Sequence, residues 1–338
     1  MKMIPKSESN KSVGAGLVPG RWRATVNVAC GRTGAGRDKP CTYILFGVVV
    51  LALALLLGAA CERKGLAPAS APGRPARIIS LSPNTTEILY GVGAFSRVVA
   101  VSDYCTYPPQ VEKLPRVGGW NNPNMEQIAS LRPDLVVFSE AQSQFVKEKV
   151  EALGVRTLAV PGNTLDDALK AIELVGEATG DNDAAHKLAA ETRAQIDSVR
   201  QATERLPRRR VLCVVDRVQG TLRDIYTAAP GSFIAQLIEA AGGETVSPPA
   251  ATGWGKLQKE AVVSLDPEVI IDLMMHKEDG RFDEDTLAVW GELPSLRAVR
   301  EKRVYAVRDE TVLHPSQFVG DTARKFAELI HPEAFPKK

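Results

Sequence analysis

The sequence is poor in the side chains that metal and redox chemistry draw on. Its 338 residues hold four histidines (His186, His276, His314 and His331) and five cysteines. Three of the cysteines, Cys30, Cys41 and Cys61, precede residue 62. Cys105 and Cys213 are left, far apart, and no disulfide framework is indicated. A receptor for a bare metal ion needs three or four clustered His and carboxylate ligands, and these scattered histidines do not supply them. Nucleophile and phosphate signatures are missing as well: there is no Gly-x-Ser-x-Gly, no P-loop and no His-Glu-x-x-His. Acids are plentiful but form no recognisable catalytic pair, which leaves a membrane-anchored enzyme as a remote alternative.

A basic face is also lacking where it would matter. The net charge is +2, but residues 1–61 carry eight Lys/Arg against two acids, so the rest of the chain holds 34 Lys/Arg against 38 Asp/Glu. A mildly acidic folded part excludes a phosphate-backbone partner, and no nucleic acid is expected. Long apolar runs are absent except for one, Ile44 to Ala60, which follows the basic segment and ends at Cys61. A basic region, an apolar run and small residues before a cut site describe a secretory signal. Leu57-Gly58-Ala59-Ala60-Cys61 resembles the lipobox of bacterial lipoproteins, in which the cysteine is lipidated and becomes the mature N-terminus. Residues 1–60 are therefore expected to be a signal segment and Cys61 a lipidation site, which places the chain outside the cytoplasm, anchored to a membrane. An uncleaved helix is the rival, since about 17 apolar residues is the lower limit for a span. Residues 61–75, rich in Ala, Pro and Gly, read as a flexible tether.

From residue 76 the pattern alternates. Short apolar runs at Ile78–Leu81, Val98–Val101, Leu135–Phe138 and Thr157–Val160 predict strands, and helical patterns separate them, which argues for parallel βα units. Asn84 with Glu87, Asn124 with Gln127, and Thr164 are predicted helix caps. Ala184 to about Leu206 contains no Gly or Pro and predicts a helix about 35 Å long, a rod suited to joining two lobes. The second half repeats the alternation at Val211–Val215, Val269–Leu273 and Val304–Val307, and an amphipathic helix closes it over Phe318–Ile330. The fold class is α/β: two Rossmann-like lobes with parallel sheets joined by one long rigid helix. The expected divisions are an N-terminal lobe over 76–163, a helical connection over 164–207 and a C-terminal lobe over 208–338.

One internal repeat stands out. Glu126, Ser130, Leu131, Pro133 and Asp134 recur as Glu260, Ser264, Leu265, Pro267 and Glu268. Each set is a helix entering a turn at proline and then a buried strand, with a glutamate at an equivalent place in each lobe.

Three stretches carry a family resemblance: Ile79 to Glu87, Val101 to Pro109 and Arg116 to Glu126. Leu131 to Val136, Gly231 to Phe233 and Ala241 to Gly243 add to it. From about residue 76 to its end the chain resembles the cobalamin and iron–siderophore class of periplasmic solute-binding proteins, the helical-backbone metal receptor family, in lipoprotein form. The resemblance implies a ligand held between two lobes and delivered to an ABC permease dimer with its ATPase subunits. It implies no cofactor of the protein's own, with cobalamin or a related corrinoid as the transported ligand and an iron–siderophore or haem as the alternative. It also implies that Glu126 and Glu260 dock on permease arginines, a reading compatible with acids being favoured in the first turn of any helix.

Residues with candidate binding roles follow. Trp120 and Trp254 lie in Gly-flanked loops, one in each half, and Tyr104 and Tyr107 follow the second strand. Loops at the carboxyl ends of parallel strands form the binding crevice, and a flat macrocycle is gripped by aromatic faces with few polar contacts. The resemblance implies that Tyr104, Trp120 and Trp254 contact the corrinoid; a further aromatic of the family is replaced here near Val215. His276 and His314 follow strands and are candidates to line the cleft, with one or the other able to approach a cobalt or iron. Arg217, Arg223 and Tyr226, after the first strand of the second lobe, either recognise polar groups on a ligand rim or are solvated loop residues. Trp290 follows a helical pattern and is expected in the core.

Overall fold

The computed structural model describes residues 73–250, 253–273 and 285–335. The expected signal segment, Cys61, most of the tether and His276 lie outside the described residues.

The first sheet is wholly parallel. It contains β1 (Ile78–Ser80), β2 (Val98–Val101), β3 (Leu135–Ser139) and β4 (Arg156–Val160) in the order β2-β1-β3-β4. β3 shows why its sequence is an unbroken apolar run. Leu135 and Val137 enter one core cluster with Ile78, Val98 and Val101, whereas Val136 and Phe138 enter another with Ile79 and Ala100. A strand alternates its side chains between faces, and both faces of this one are covered by helices.

Those helices are α1 (Pro83–Gly91), α2 (Met125–Ser130) and α3 (Ser143–Glu151). Asn124 caps α2 as the sequence predicts, its side chain accepting from the Gln127 amide. The cap predicted at Asn84 is corrected. Pro83 occupies the first turn and Ser82 is the N-cap; proline's fixed φ starts the helix there. Asn84 and Glu87 thus become helix-interior positions, and Glu87 turns inward to 1% exposure.

Two helices join the halves: α4 (Leu165–Thr179) and α5 (Asn182–Thr203). Thr164 and Asp167 form the capping box that starts α4, and Gly180, at φ 76°, ends it in the left-handed conformation. α5 is the predicted bridging helix, about 33 Å long at its 22 residues. α4 bridges beside it in the opposite direction. Leu165 and Ala168 of α4 pack with Ile196 and Val199 of α5 in the core of the second lobe. Ala171, Ile172 and Val175 pack with Ala185 and Ala189 in the core of the first. Close approach depends on Gly176, where an added Cβ would collide with the Ala185 methyl.

The second sheet is mixed. β5 (Arg209–Asp216), β6 (Ile225–Ala228), β7 (Gly243–Thr245), β8 (Trp254–Leu257), β9 (Val269–Leu273) and β10 (Val304–Val307) form it. The order is β10-β9-β5-β6-β8, with β7 pairing β5. β10, β9, β5 and β7 run parallel, whereas β6 and β8 are antiparallel additions. The parallel sheet expected for this lobe thus holds in its centre and changes direction at one edge. The remaining helices are α6 (Phe233–Ala240), α7 (Lys259–Leu265), α8 (Thr286–Trp290), α9 (Arg297–Arg300) and α10 (Val319–Ile330). Trp290 is fully buried, as expected, and its Nε1 donates to Asp272 at 2.8 Å.

The repeat seen in sequence is a repeat of structure. Arg132 and Asp266, each before the proline, take left-handed φ values of 46° and 39°. The Asp134 carboxylate accepts from the Arg77 amide at 3.0 Å, and that of Glu268 accepts from the Arg210 amide at 2.9 Å. Arg77 and Arg210 in turn donate to the carbonyls of Leu131 and Leu265, at 2.7 and 2.6 Å. In each lobe an arginine at the start of the first strand and an acid at the start of a neighbouring strand clamp the same helix-to-strand turn.

Candidate functional site

The carboxyl ends of β1 to β4 face loops of the second lobe across a cleft. Two adjoining cavities fill it, of about 370 and 580 Å³, and Trp120, Ser139, Leu313 and Pro315 line both. Their size is that of small-molecule sites, roughly 300–1,000 Å³. A larger hollow of about 1170 Å³ lies elsewhere, along α5 and α6, among Asp197, Arg200, Glu204 and Arg208. That hollow is open and lined by charge, and no strand ends there; the cleft is the better candidate.

Each wall is held by its own backbone. The Trp120 loop is tied to the strands by the Val117 amide donating to Val101 and the Asp103 amide donating to Gly118, both at 3.0 Å. The buried Gln142 side chain donates to the carbonyls of Trp120 and Leu81, each at 3.1 Å. Tyr104 lies against Gly119 and is 44% exposed. On the far wall, Trp254 packs edge-on against Phe233 at 6.2 Å and is 38% exposed. It is the first residue of β8, pairing with Ala228, and not a loop residue as expected: the alternating burial of Ile225 and Thr227 about exposed Tyr226 makes β6 a strand that recruits β8.

His314 forms the floor. It follows the 3₁₀ turn Glu310–Leu313, which Asp309 caps by accepting from the Thr311 amide at 3.2 Å. Burial opposes ionisation of Asp309, but hydrogen bonds from Lys325 and Thr311 outweigh it and hold the carboxyl below its ordinary value. The Nδ1 of His314 lies 2.6 Å from Glu87 Oε1, and Ser316 Oγ donates to Glu87 Oε2 at 2.5 Å. Glu87 belongs to the first lobe and its two partners to the second. Asn84 sits beside this pair, 4% exposed, and its Nδ2 is buried without a hydrogen-bond partner.

Of the residues singled out from sequence, Tyr104, Trp120 and His314 line one cavity, and Trp120 and Trp254 line the other. Tyr107 lines neither. Its ring stacks edge-on between Tyr90 at 5.4 Å and Phe318 at 5.1 Å, and burial, with the charges of Tyr90 and Glu87, pushes its hydroxyl pKa up. Arg223 also lies outside the lining, exposed on the β5–β6 turn. The Arg217 side chain is buried, its Nε donating to Asp272 at 2.8 Å, and Tyr226 faces outward under Lys256. Glu126 and Glu260 are exposed in the first turns of α2 and α7. His186 is exposed, and His331 is buried against the Gly242 carbonyl. Asn84 and Glu87 were missed as cleft residues. Their signal was present, since Pro83 marks a helix start that puts both inside the first turns.

A family model described as "Periplasmic binding protein" matches residues 78–311. The chain belongs to that family. It is 28% identical over 271 residues to the uncharacterized ABC transporter substrate-binding lipoprotein YvrC of Bacillus subtilis, covering 77% of this chain and 82% of that one. It is 26% identical over 198 residues to the vitamin B12-binding protein of Pectobacterium atrosepticum, covering 58% and 71%. Among solved structures, the periplasmic heme-binding protein RhuT of Roseiflexus sp. RS-1 superposes with a TM-score of 0.65 at 25% identity, covering 76% of this chain and 98% of RhuT. The periplasmic vitamin B12-binding protein BtuF of Vibrio cholerae shares the fold, with a TM-score of 0.65 at 24% identity and coverage of 78% and 99%. This periplasmic binding protein is thus a substrate-binding protein whose relatives serve B12 and heme. Among the described residues no helix is long and apolar enough to cross a membrane, and no three His, Cys, Asp or Glu side chains cluster to hold a metal ion.

Proposed function

We propose that this protein captures a flat metal macrocycle, a corrinoid such as cobalamin, between its lobes and delivers it to an ABC permease dimer driven by ATPase subunits. The observation that carries the reading is the convergence of Tyr104 and Trp120 from the first lobe and Trp254 from the second on one pair of adjoining cavities. Aromatic faces bury a large apolar disc without demanding polar partners. Glu126 and Glu260, one on each lobe at equivalent places, serve as the two docking carboxylates, because two charges on a rigid body fix orientation on a two-fold partner. In this reading the protein works outside the cytoplasm, its signal segment ending at Cys61, which carries a lipid anchor. Binding without turnover is the expected behaviour.

A haem cargo is the second reading, favoured by His314 in the cavity wall. Titrating the purified protein with cyanocobalamin, dicyanocobinamide, ferric haem and a ferric hydroxamate tests both. Corrinoid binding with the tightest affinity supports the proposal, haem preference moves it to the second reading, and failure to bind any of the four contradicts it.

A further inference from the structure

The cleft contains one arrangement that aromatic gripping does not use. His314 presents only part of its ring to the cavity, its side chain being 14% exposed, while its Nδ1 is held by a carboxylate that is 1% exposed. The same carboxylate accepts from Ser316 on its other oxygen, and the Glu87 carbonyl accepts from Gln317 Nε2 at 2.9 Å. Glu87 is therefore fixed on three sides. The contact takes up Nδ1 and leaves Nε2 as the ring nitrogen available to another partner. No hydrogen bond among the described residues falls on Nε2. A histidine held by a carboxylate at one ring nitrogen, in a residue that lines a cavity, has the arrangement that metal-ligating histidines adopt.

We infer that His314 is an axial ligand to the metal of the bound macrocycle, with Glu87 as its positioning residue. The inference rests on the metal-macrocycle reading of the cargo. The ligand class is a corrinoid or porphyrin with an exchangeable axial position. Nε2 donates its lone pair to the Co(III) or Fe(III) centre, a bound water leaves, and no electron is transferred. One histidine suffices, because the macrocycle brings its own equatorial nitrogens; this is why no cluster of protein ligands is needed. Asn84 lines the same cavity, and its Nδ2 is buried without a hydrogen-bond partner.

The visible spectrum of the full-length protein with diaquacobinamide, and separately with ferric haem, tests this. The bound cargo is expected to show a nitrogen-ligated spectrum in place of the water-ligated one. His314→Ala should return the water-ligated spectrum while the cargo still binds, more weakly, and added imidazole should restore the nitrogen-ligated bands. Glu87→Gln should keep the ligation but weaken affinity about 10–100-fold, as loss of an orienting partner does. A water-ligated spectrum in the wild-type complex overturns the ligation and leaves the cargo reading standing. Failure of cobinamide and haem to bind at all overturns the cargo reading itself, and the ligation with it.

Discussion

The imidazole of His314 and the carboxylate of Glu87 meet at 2.6 Å across the junction of the two lobes. Ser316 adds a second bond to the same carboxylate, and Thr106 of the first lobe donates to Glu310 of the second at 3.3 Å. The cleft floor is therefore also a fastening, and with two bridging helices behind it the lobes are held against wide hinge motion.

Removing the carboxylate should loosen that fastening. Glu87→Ala leaves His314 and Ser316 without their carboxylate acceptor in a buried setting, where breaking such a group costs about 3 kcal/mol, whereas Gln317 keeps the backbone carbonyl it donates to. Glu87→Gln keeps an acceptor and should cost about half as much. Urea unfolding monitored by circular dichroism checks both values. Unchanged stability in Glu87→Ala would mean that the junction is held by other contacts.

The bridge makes a separate prediction. Gly176→Ala drives a methyl into Ala185 of the neighbouring helix, and overpacking of this kind costs about 1–3 kcal/mol. Adding Ala185→Gly should recover most of the loss, because the two sites share one contact. Additive losses in the double variant would argue against the close approach of α4 and α5.

Docking and binding should separate. Glu126→Lys with Glu260→Lys places opposite charges on the two lobes' exposed helix starts, away from the cavity linings. Cargo affinity should stay within about two-fold, and uptake in cells should fall at least ten-fold, since like-charge juxtaposition at an interface costs several kcal/mol. Each single reversal should give an intermediate loss. Unchanged uptake in the double variant removes both glutamates from the docking surface.

The two buried thiols should be inert. Burial pushes the Cys105 pKa up against hydrogen bonds from Ser102 and Thr86, and burial with the nearby Asp272 charge pushes that of Cys213 up as well. The thiolate is the reactive form, and a raised pKa leaves almost none of it at pH 8. Peptide mapping after iodoacetamide should find both unmodified in native protein and both modified in denaturant.

What the sequence made legible was what local chemistry decides. Asn124 and Thr164 announce their helices because the capping partner is three residues away. The Glu126 and Glu260 segments announced a repeat, which extends to the Arg77 and Arg210 clamps. Long-range pairing was hidden. Ile225–Ala228 becomes a strand by joining β5 and β8, and Trp254 enters β8 for the same reason. Glu87 was read as part of a cap because Asn84 and Glu87 have cap spacing, whereas its partners lie 227 and 229 residues away. Three of the aromatics chosen for the cleft line it, and Tyr107 does not, because its ring is taken up by Tyr90 and Phe318.

The central claim is that aromatic side chains from both lobes grip one flat cargo. It is tested most directly by equilibrium titration of cyanocobalamin, read by dialysis, into wild type, Trp120→Ala, Trp254→Ala and the double variant. Each truncation should weaken binding about 30-fold, or about 2 kcal/mol, the size expected of an aromatic anchor, with unfolding midpoints unchanged. Affinity that is the same in all four proteins would contradict the account.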